Sequence, residues 1–487
     1  MLFNSYIFIL FFLPLTIIGY YLLNHFQKYE VSKVFLVMMS FWFYGYFNVS
    51  YLLIIIVSIV VNYGLGKGLV LTKNTVLAKV YLGMGLFFNL SLLFYFKYYD
   101  FFISNTNQLF STEFHLKHIV LPLGISFFTF QQLSFVIDCY KKQVPLYGFW
   151  DYSLFVTFFP QLVAGPIVLH SEMVPQFADR TNKNVDYGDL VKGIYALTCG
   201  MAKKVLLADT FGMFVNYGFA NHTMLNTTEM LFVMIGYTLQ IYYDFSGYCD
   251  MAVGIGSLLR IKIPMNFHSP YKAVTILDFW KRWHMTLTRF FTTYVYIPLG
   301  GNRKGAIRTY GNIGIVFLIS GLWHGANWTF IVWGILHGAN NIVTRISGKW
   351  IEKIPKCMKW LATFLFINVT WLLFRSDSMK QCKEIYATIL SLDFGGISTE
   401  MLYVMEDLAE VKFLNEMAIA LVARNITLPL LLIIFAIGLF GVLCMRNTME
   451  KIERLQLNMY LLMKVVVVAI WCLISFAGVS TFLYFDF

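Results

Sequence analysis

Charged residues are scarce in this sequence. Asp, Glu, Lys and Arg make up 13% of the 487 residues, whereas 58% are hydrophobic and the mean hydropathy is +0.66. A soluble chain of this length needs more charged side chains to cover its surface. The composition therefore excludes a soluble globular protein and predicts an integral membrane protein that is surrounded by the lipid bilayer.

Cysteine is also sparse, and the seven cysteines lie far apart along the chain. No two of them form a C-x-x-C pair, and none has a histidine at the spacing of metal ligands. The sequence therefore predicts no disulfide framework, no metal site and no bound cofactor. Long Pro-, Gly- or Ser-rich linkers are missing too, which favours a single polytopic domain over residues 1–487.

The excess of basic residues gives a formal net charge of +11, but these residues are scattered over short loops. That distribution excludes nucleic acid as a partner, because a nucleic-acid-binding protein concentrates its basic residues on one face. Lys28 and Lys33 follow the first hydrophobic run, and Lys141 and Lys142 follow the fifth. Since basic residues mark cytoplasmic loops, we expect the N-terminus on the outer side of the membrane.

Hydrophobic runs near the length of a membrane span recur from end to end. They predict an all-α polytopic membrane protein with roughly eleven transmembrane helices, together with re-entrant and amphipathic helices. The first run lacks a basic segment before it and a cleavage site after it, so we expect the mature chain to begin near Met1. The predicted spans cover residues 4–23, 34–46, 51–65, 77–96, 119–136, 191–211, 230–251, 312–342, 360–374, 426–445 and 459–482.

Three stretches, at residues 155–177, 240–259 and 278–305, do not resemble lipid-facing helices. Residues 155–177 are apolar but carry Pro160, Pro166 and Pro175, which cannot all lie inside one regular helix. A bent element buried among other helices is expected there, with a loop at the membrane interface as the alternative. A carboxylate at membrane depth, such as Asp244, is a functional candidate, although hydrogen bonds from neighbouring side chains would also explain it.

Residues 278–305 combine basic and aromatic side chains. This pattern predicts an amphipathic helix along the cytoplasmic face, with its aromatic side toward the lipid. An alternative is that Lys281, Arg282 and Arg289 hold a nucleotide phosphate. The sequence leaves both interpretations open.

The stretch 321–338, GLWHGANWTFIVWGILHG, has no formally charged side chain but keeps His324 and His337. The two histidines cannot share one face of a straight helix, so they are not a simple ligand pair. Burial disfavours the imidazolium form, and a neutral His324 could take a proton from an attacking hydroxyl or thiol. A packing role remains open for His337, and His284 is a second candidate imidazole.

Several motifs in this sequence are similar to those of one protein family. They are FFPQLVAGP at 158–166, YDFSG at 243–247, DFWKRWH at 278–284, YIPLGG at 296–301, GLWHGANW at 321–328 and WGILHG at 333–338. Together with SFWFYGYFN at 40–48 and WLLFR at 371–375, they resemble the membrane-bound O-acyltransferases. Within that family the chain is most similar to the integral-membrane component of alginate O-acetylation and its bacterial relatives.

The resemblance implies bent helices around a central tunnel, a catalytic core at about residues 119–375 and a bacterial inner-membrane location. It places the catalytic histidine at His324 and a second motif histidine at His284. It implies transfer of acetyl from cytoplasmic acetyl-CoA toward the outer face, where a partner acetyltransferase modifies a polysaccharide. Supporting roles are expected for Asp278, Asp244, His337, Trp323 and Asn327, and donor binding for Lys281, Arg282 and Arg289.

Two departures from the family pattern and two alternative functions remain at this level. Relatives often carry Arg-Asp at Thr292–Thr293 and a basic residue at Leu169, so the charges that bind the donor differ here. Transfer of another acyl unit, such as D-alanine onto teichoic acid, is an alternative within the same class. A secondary transporter with a histidine and a carboxylate at its substrate site is an alternative from another class.

Overall fold

The computed structural model describes residues 1–408, 411, 427–477 and 482–483. Residues 426 and 478–481 of the last two predicted spans, and part of the predicted domain over 1–487, lie outside the described residues. Within them, every regular element is a helix. The chain divides into two compact units, the first formed by residues 1–197 and 249–265 and the second by residues 198–248 and 266–487.

Helices of the first unit are numbered in chain order. They are α1 Leu13–His25, α2 Tyr29–Gly45, α3 Ser50–Leu71, α4 Thr75–Leu93, α5 Tyr99–Phe110, α6 Ile125–Tyr140, α7 Phe149–Thr157, α8 Phe159–Leu162, α9 His170–Ala178 and α10 Tyr187–Met201, of which the last ends in the second unit.

Helices of the second unit follow the same numbering. They are α11 Asp209–Ala220, α12 Thr227–Leu258, which ends in the first unit, α13 Ile276–Trp280, α14 Met285–Phe291, α15 Ala306–His324, α16 Trp328–Ile346, α17 Gly348–Glu352, α18 Lys356–Arg375, α19 Met379–Leu390, α20 Thr399–Tyr403, α21 Thr427–Leu443, α22 Thr448–Glu453 and α23 Met459–Ile474.

Four helical stretches are long and apolar enough to cross a membrane among the residues described. They are Phe8–His25, Ser50–Leu71, Thr75–Phe110 and Lys356–Arg375, and two shorter apolar helices, α21 and α23, accompany them. The all-helical membrane architecture is thus confirmed, whereas the count of eleven spans is not. The central tunnel and the single domain stay predictions.

Buried amides join two of these long helices in the first unit. Asn62 on α3 and Asn89 on α4 are fully buried, and each side-chain amide donates to the carbonyl oxygen of the other at 3.2 and 2.6 Å. Each also donates to a backbone carbonyl four residues earlier in its own helix. Polar pairs of this kind hold membrane helices together, because neither amide can find water in lipid.

The proline-rich stretch 155–177 is a bent element buried within the first unit, as the sequence predicts. Helix α7 ends at Thr157, α8 covers one turn, and α9 begins only at His170. Nearly every residue between 155 and 170 is buried. This burial favours the bent element over a loop exposed at the membrane interface.

The predicted span 312–342 is two antiparallel helices rather than one. Helices α15 and α16 are joined by residues 325–327, and a side chain at Gly321 would overlap the carbonyl oxygen of Phe330. At Gly334 an added Cβ would lie 2.5 Å from the carbonyl oxygen of Phe317 and 3.2 Å from the Cα of Gly321. The two glycines thus let the backbones touch, as small residues do where membrane helices pack closely.

The single amphipathic helix predicted over residues 278–305 is wrong. Helix α13 ends at Trp280, and His284 then adopts a left-handed backbone conformation with φ 46° and ψ 52° before α14 begins. A residue in that conformation interrupts a right-handed helix. Hydropathy and charge patterns do not report this break, because they describe side chains and not backbone angles.

The glycine contact in the hairpin of α15 and α16 gives a testable expectation. Gly321→Ala should destabilise the protein by about 1–3 kcal/mol, since the new methyl group must push the two backbones apart. Gly314→Ala in the same helix is the control, because no atom lies within 4 Å of its added Cβ. Thermal unfolding in detergent measures both, and equal melting temperatures would refute the proposed close packing.

Candidate active site

His324 is the last residue of α15 and lies almost completely buried in the second unit. The chain leaves the helix at Gly325, where an added Cβ would overlap the ring of Phe330. A larger residue at 325 would therefore move the turn that holds the imidazole. The short connection to α16 brings the first turns of that helix back beside His324.

Aromatic rings surround this imidazole. The ring centroid of His324 lies 4.9 Å from that of Trp323, 5.1 Å from Trp333 and 5.0 Å from Phe374. Trp371 stacks against Trp333 at 6.0 Å and 16°. Such an apolar surrounding keeps bulk water away, which strengthens hydrogen bonds to any ligand in the site.

His284 contacts the same aromatic group from another element. Its ring packs 6.1 Å from Trp323 and 4.8 Å from Phe245, and the side chain is fully buried. Its Nδ1 lies 3.2 Å from Oδ1 of Asn266, an oxygen that also accepts from the backbone N–H and hydroxyl of Thr286. Because that oxygen is an acceptor, Nδ1 of His284 carries the hydrogen and Nε2 carries the lone pair.

His337 lies on the far side of Trp333, with ring centroids 4.6 Å apart. Its Nε2 is 3.0 Å from the hydroxyl oxygen of Thr370. That hydroxyl has one hydrogen and donates it to the carbonyl oxygen of Phe366 at 2.9 Å, four residues earlier in α18. The same hydroxyl lies 3.1 Å from the carbonyl oxygen of Ile367, and its contact with His337 ties α16 to α18.

Neither predicted carboxylate orients a histidine among the described residues. Asp244 binds the ammonium group of Lys204 at 2.7 Å and accepts from the backbone N–H of Leu483 at 3.0 Å. Asp278 binds Nε of Arg282 at 2.7 Å. Both acids neutralise a cation of their own, and a supporting role for either one in catalysis stays a prediction.

Of the remaining predicted residues, Asn327 lies at the start of a helix and Lys281 lines a pocket, whereas Arg282 and Arg289 do neither. Asn327 caps α16 by accepting from the backbone N–H of Thr329, and it donates to the carbonyl oxygen of Asp377. Lys281 lines a pocket of about 400 Å³ beside the aromatic group. Arg282 and Arg289 do not line this pocket in the part of the chain that the structure describes.

Both apolar and polar side chains line the pocket. Trp280 and Phe317 in its lining also pack against His337, at 5.3 and 6.5 Å between ring centroids. Its lining residues are Leu277, Trp280, Lys281, Leu287, Thr288, Phe291, Thr292, Tyr296, Ile313, Val316, Phe317, Ser320, Asn341 and Arg345.

Residues 41–376, which include both histidine motifs, match the sequence model of the membrane-bound O-acyltransferase family. The chain belongs to this family. It is accordingly a membrane acyltransferase, and the resemblance carried by its motifs is confirmed. The family match covers the hairpin of α15 and α16 and all of α18, so the aromatic group around His324 lies within it.

Individual relatives cover most of this acyltransferase. A peptidoglycan O-acetyltransferase of Helicobacter pylori is 42% identical over 81% of this chain and 80% of its own length. A probable alginate O-acetylase, AlgI, of Pseudomonas aeruginosa is 35% identical over 80% of this chain and 75% of its own. A teichoic acid D-alanyltransferase of Bacillus subtilis is 30% identical, over 53% of this chain and 68% of its own.

Sequence reasoning missed several residues of this site. Lys204 lies in an apolar run and gives no local signal that its partner is Asp244, forty residues later. Trp333 and Phe374 lie within the motifs, but the sequence assigns them no role because it does not show which aromatic rings contact each other. On α16, Arg345 comes eight residues after His337, a spacing that places both on one face of a helix. This spacing could have linked Arg345 to the site.

Proposed function

We propose that this protein is an O-acetyltransferase of the bacterial inner membrane, with its N-terminus outside. It takes an acetyl group from cytoplasmic acetyl-CoA and passes it toward the outer face, for O-acetylation of a cell-envelope or extracellular polysaccharide. The observation that carries the proposal is His324, buried at the end of α15 among aromatic rings, one of which, Trp323, also contacts His284. Two relatives named for O-acetylation, each matching four fifths of the chain, support acetyl as the transferred group.

His324 serves the transfer in one of two ways. As a general base, its neutral imidazole takes the proton of the attacking hydroxyl while that oxygen bonds to the acyl carbon and the carbon–sulfur bond breaks. As a nucleophile, it accepts the acyl group first and releases the thiol, and the hydroxyl then displaces the imidazole. In both cases the proton of the hydroxyl ends on the released thiol, and the aromatic surrounding keeps water from competing.

The pocket beside Trp280 supplies a place for the donor. Lys281 and Arg345 are its two cations, which suits a phosphate-bearing donor, and its apolar lining suits a narrow arm that carries a thioester. Acetyl-CoA is charged and remains in the cytoplasm, whereas the polysaccharide lies outside. Bringing both to one buried site avoids moving coenzyme A across lipid and gains rate from orientation.

A separate exported or membrane-anchored acetyltransferase is the partner we propose for the final transfer to the polysaccharide. The named relatives differ in their acceptors, since one name refers to peptidoglycan and another to alginate. A D-alanyl group is the alternative acyl unit, because a relative named for D-alanyl transfer also matches this chain. That match covers only about half of the chain.

Purified protein in liposomes tests the proposal. We expect the protein to consume acetyl-CoA that is supplied on the cytoplasmic side. When the partner acetyltransferase and a glycan acceptor are supplied on the other side, radiolabelled acetyl should appear on the glycan. Thioester consumption separates this enzyme from a transporter, which would move a solute and leave the thioester intact. Turnover of a D-alanyl donor alone, or of no thioester at all, would refute acetyl transfer.

A further inference from the structure

One wall of the pocket is a single face of α15. Ile313, Val316, Phe317 and Ser320 all line the pocket, and their spacing of three and four residues places them in one row along the helix. His324 comes four residues after Ser320, so it continues this row by one turn, about 6 Å along the helix axis. The pocket therefore extends along α15 toward the imidazole, and Ser320 marks the end that lies nearest to it.

A chain of indole rings connects this end of the pocket with His324. Trp280 lines the pocket, and its ring packs edge to face against Phe317 at 5.3 Å and against Trp333 at 5.8 Å between centroids. Trp333 in turn lies 5.1 Å from the ring of His324. Trp280 is 8% exposed and Trp333 is fully buried, so close packing fixes both rings. An acyl group that moves from the pocket to His324 passes these indoles.

The space beside the imidazole is also bounded by aromatic rings on its other sides. Trp323 and Phe374 lie 4.9 and 5.0 Å from the ring centroid of His324. Aromatic side chains are rigid, and extra methylene groups forced into such packing displace rings from their preferred positions. A small acyl group is therefore the kind of group that can reach His324 here.

We propose that Trp280 sets the upper size limit of the transferred acyl group. Its indole closes the end of the donor pocket, so an acetyl group passes to His324, whereas each further methylene overlaps the ring. Trp280 is thus a specificity-determining residue for acyl length, and His324 keeps its own role at the acyl carbon. This inference rests on the proposed function, because it requires a thioester donor in this pocket.

Four donors that differ only in acyl length test this limit. They are acetyl-, propionyl-, butyryl- and hexanoyl-coenzyme A, and contacts with their common coenzyme A part cancel in ratios of kcat/KM. We expect wild-type protein in liposomes to lose about 10-fold in kcat/KM for each added methylene. Trp280→Leu should raise the ratio of butyryl to acetyl transfer by about 10-fold or more, because the smaller side chain leaves room for the longer group. Released coenzyme A, measured with a thiol reagent, gives all the rates.

Ile313→Ala is the matched control within the pocket. Ile313 lies on the same face of α15 but precedes His324 by eleven residues, about 16 Å along the helix axis. Its truncation enlarges the pocket away from the imidazole, so it should change the transfer of all four acyl groups by a similar factor. Trp360→Leu controls for the loss of an indole, since the N–H of Trp360 donates to the carbonyl oxygen of Tyr271 and its ring lies outside the described lining of the pocket.

Trp280→Phe keeps an aromatic ring at this position and provides a second, milder variant. It should shift the ratio of butyryl to acetyl transfer in the same direction as Trp280→Leu, by a smaller factor. General damage to the fold lowers the rates for all donors alike and leaves their ratio unchanged. The ratio therefore separates a role in selection from a role in packing.

Three results would overturn the inference. Wild-type protein that transfers butyryl and acetyl groups equally well has no size limit for Trp280 to set. An unchanged ratio in both Trp280 variants would place the limit elsewhere, and an equal shift in Ile313→Ala would assign it to the pocket as a whole. In each case, turnover of acetyl-CoA by the wild type leaves the proposed function intact. If the wild type consumes no thioester, the proposed function and this inference fail together.

Discussion

His324→Ala is expected to lower acetyl transfer by about 10²–10⁴-fold, the usual range for loss of a general acid–base group. The substitution removes the imidazole at the end of α15 and leaves the surrounding rings in place. The loss should be in kcat, with the KM for acetyl-CoA nearly unchanged, because the donor pocket is lined by other residues. Acetyl-CoA consumption in liposomes measures both constants.

The control for this variant is His115→Ala, since His115 is an exposed histidine of the first unit. Both variants should unfold near the wild-type temperature, which shows that lost activity is not lost structure. A His324→Ala protein that transfers acetyl at the wild-type rate would remove His324 from the chemistry.

Lys204→Met is expected to destabilise the protein by about 3–5 kcal/mol, because it leaves buried negative charge without its cation. The ammonium group of Lys204 binds Asp244 at 2.7 Å and Asp209 at 2.8 Å, and its side chain is 2% exposed. The double variant Lys204→Met with Asp244→Leu should recover much of the loss, since replacing both members of a buried pair by apolar residues is often neutral.

Thermal unfolding in detergent measures these two variants, and Lys380→Met is the control. Lys380 lies 3.9 Å from Glu384 and its side chain is 87% exposed, so its loss should cost less than about 1 kcal/mol. If Lys204→Met unfolds at the wild-type temperature, the buried ion pair contributes nothing to the stability of the second unit.

The sequence indicates the two motif histidines as candidates but does not indicate what surrounds them. His324 and His284 lie in motifs shared with a family, so their importance could be inferred without knowing the fold. Their common contact, Trp323, could not, because His284 reaches it only after a break in the helix that leaves no trace in hydropathy. The cation partners of Asp244 and Asp278 could not be predicted either, because the sequence does not show which charged residues meet.

The number of spans shows a similar limit. An apolar stretch such as 312–342 has the composition of one long span, and only the contact between Gly321 and Gly334 turns it into a hairpin. Hydropathy averages over a window and cannot see a reversal of the chain within it. The proline positions in 155–177, by contrast, act directly on the backbone, and there the prediction was confirmed.

The left-handed backbone at His284 restricts the experiments that can probe its imidazole. In this conformation most side chains are strained, whereas asparagine and glycine are tolerated. Alanine at 284 would therefore change two properties at once, the ring and the ease with which the chain turns into α14. Asparagine at 284 keeps the turn, and its side-chain amide can donate to Asn266 from near the position of the imidazole Nδ1. This variant therefore isolates the contribution of Nε2. In a library of variants at this position, activity would consequently depend first on whether the new residue tolerates the left-handed backbone. It would depend second on the chemistry of the side chain.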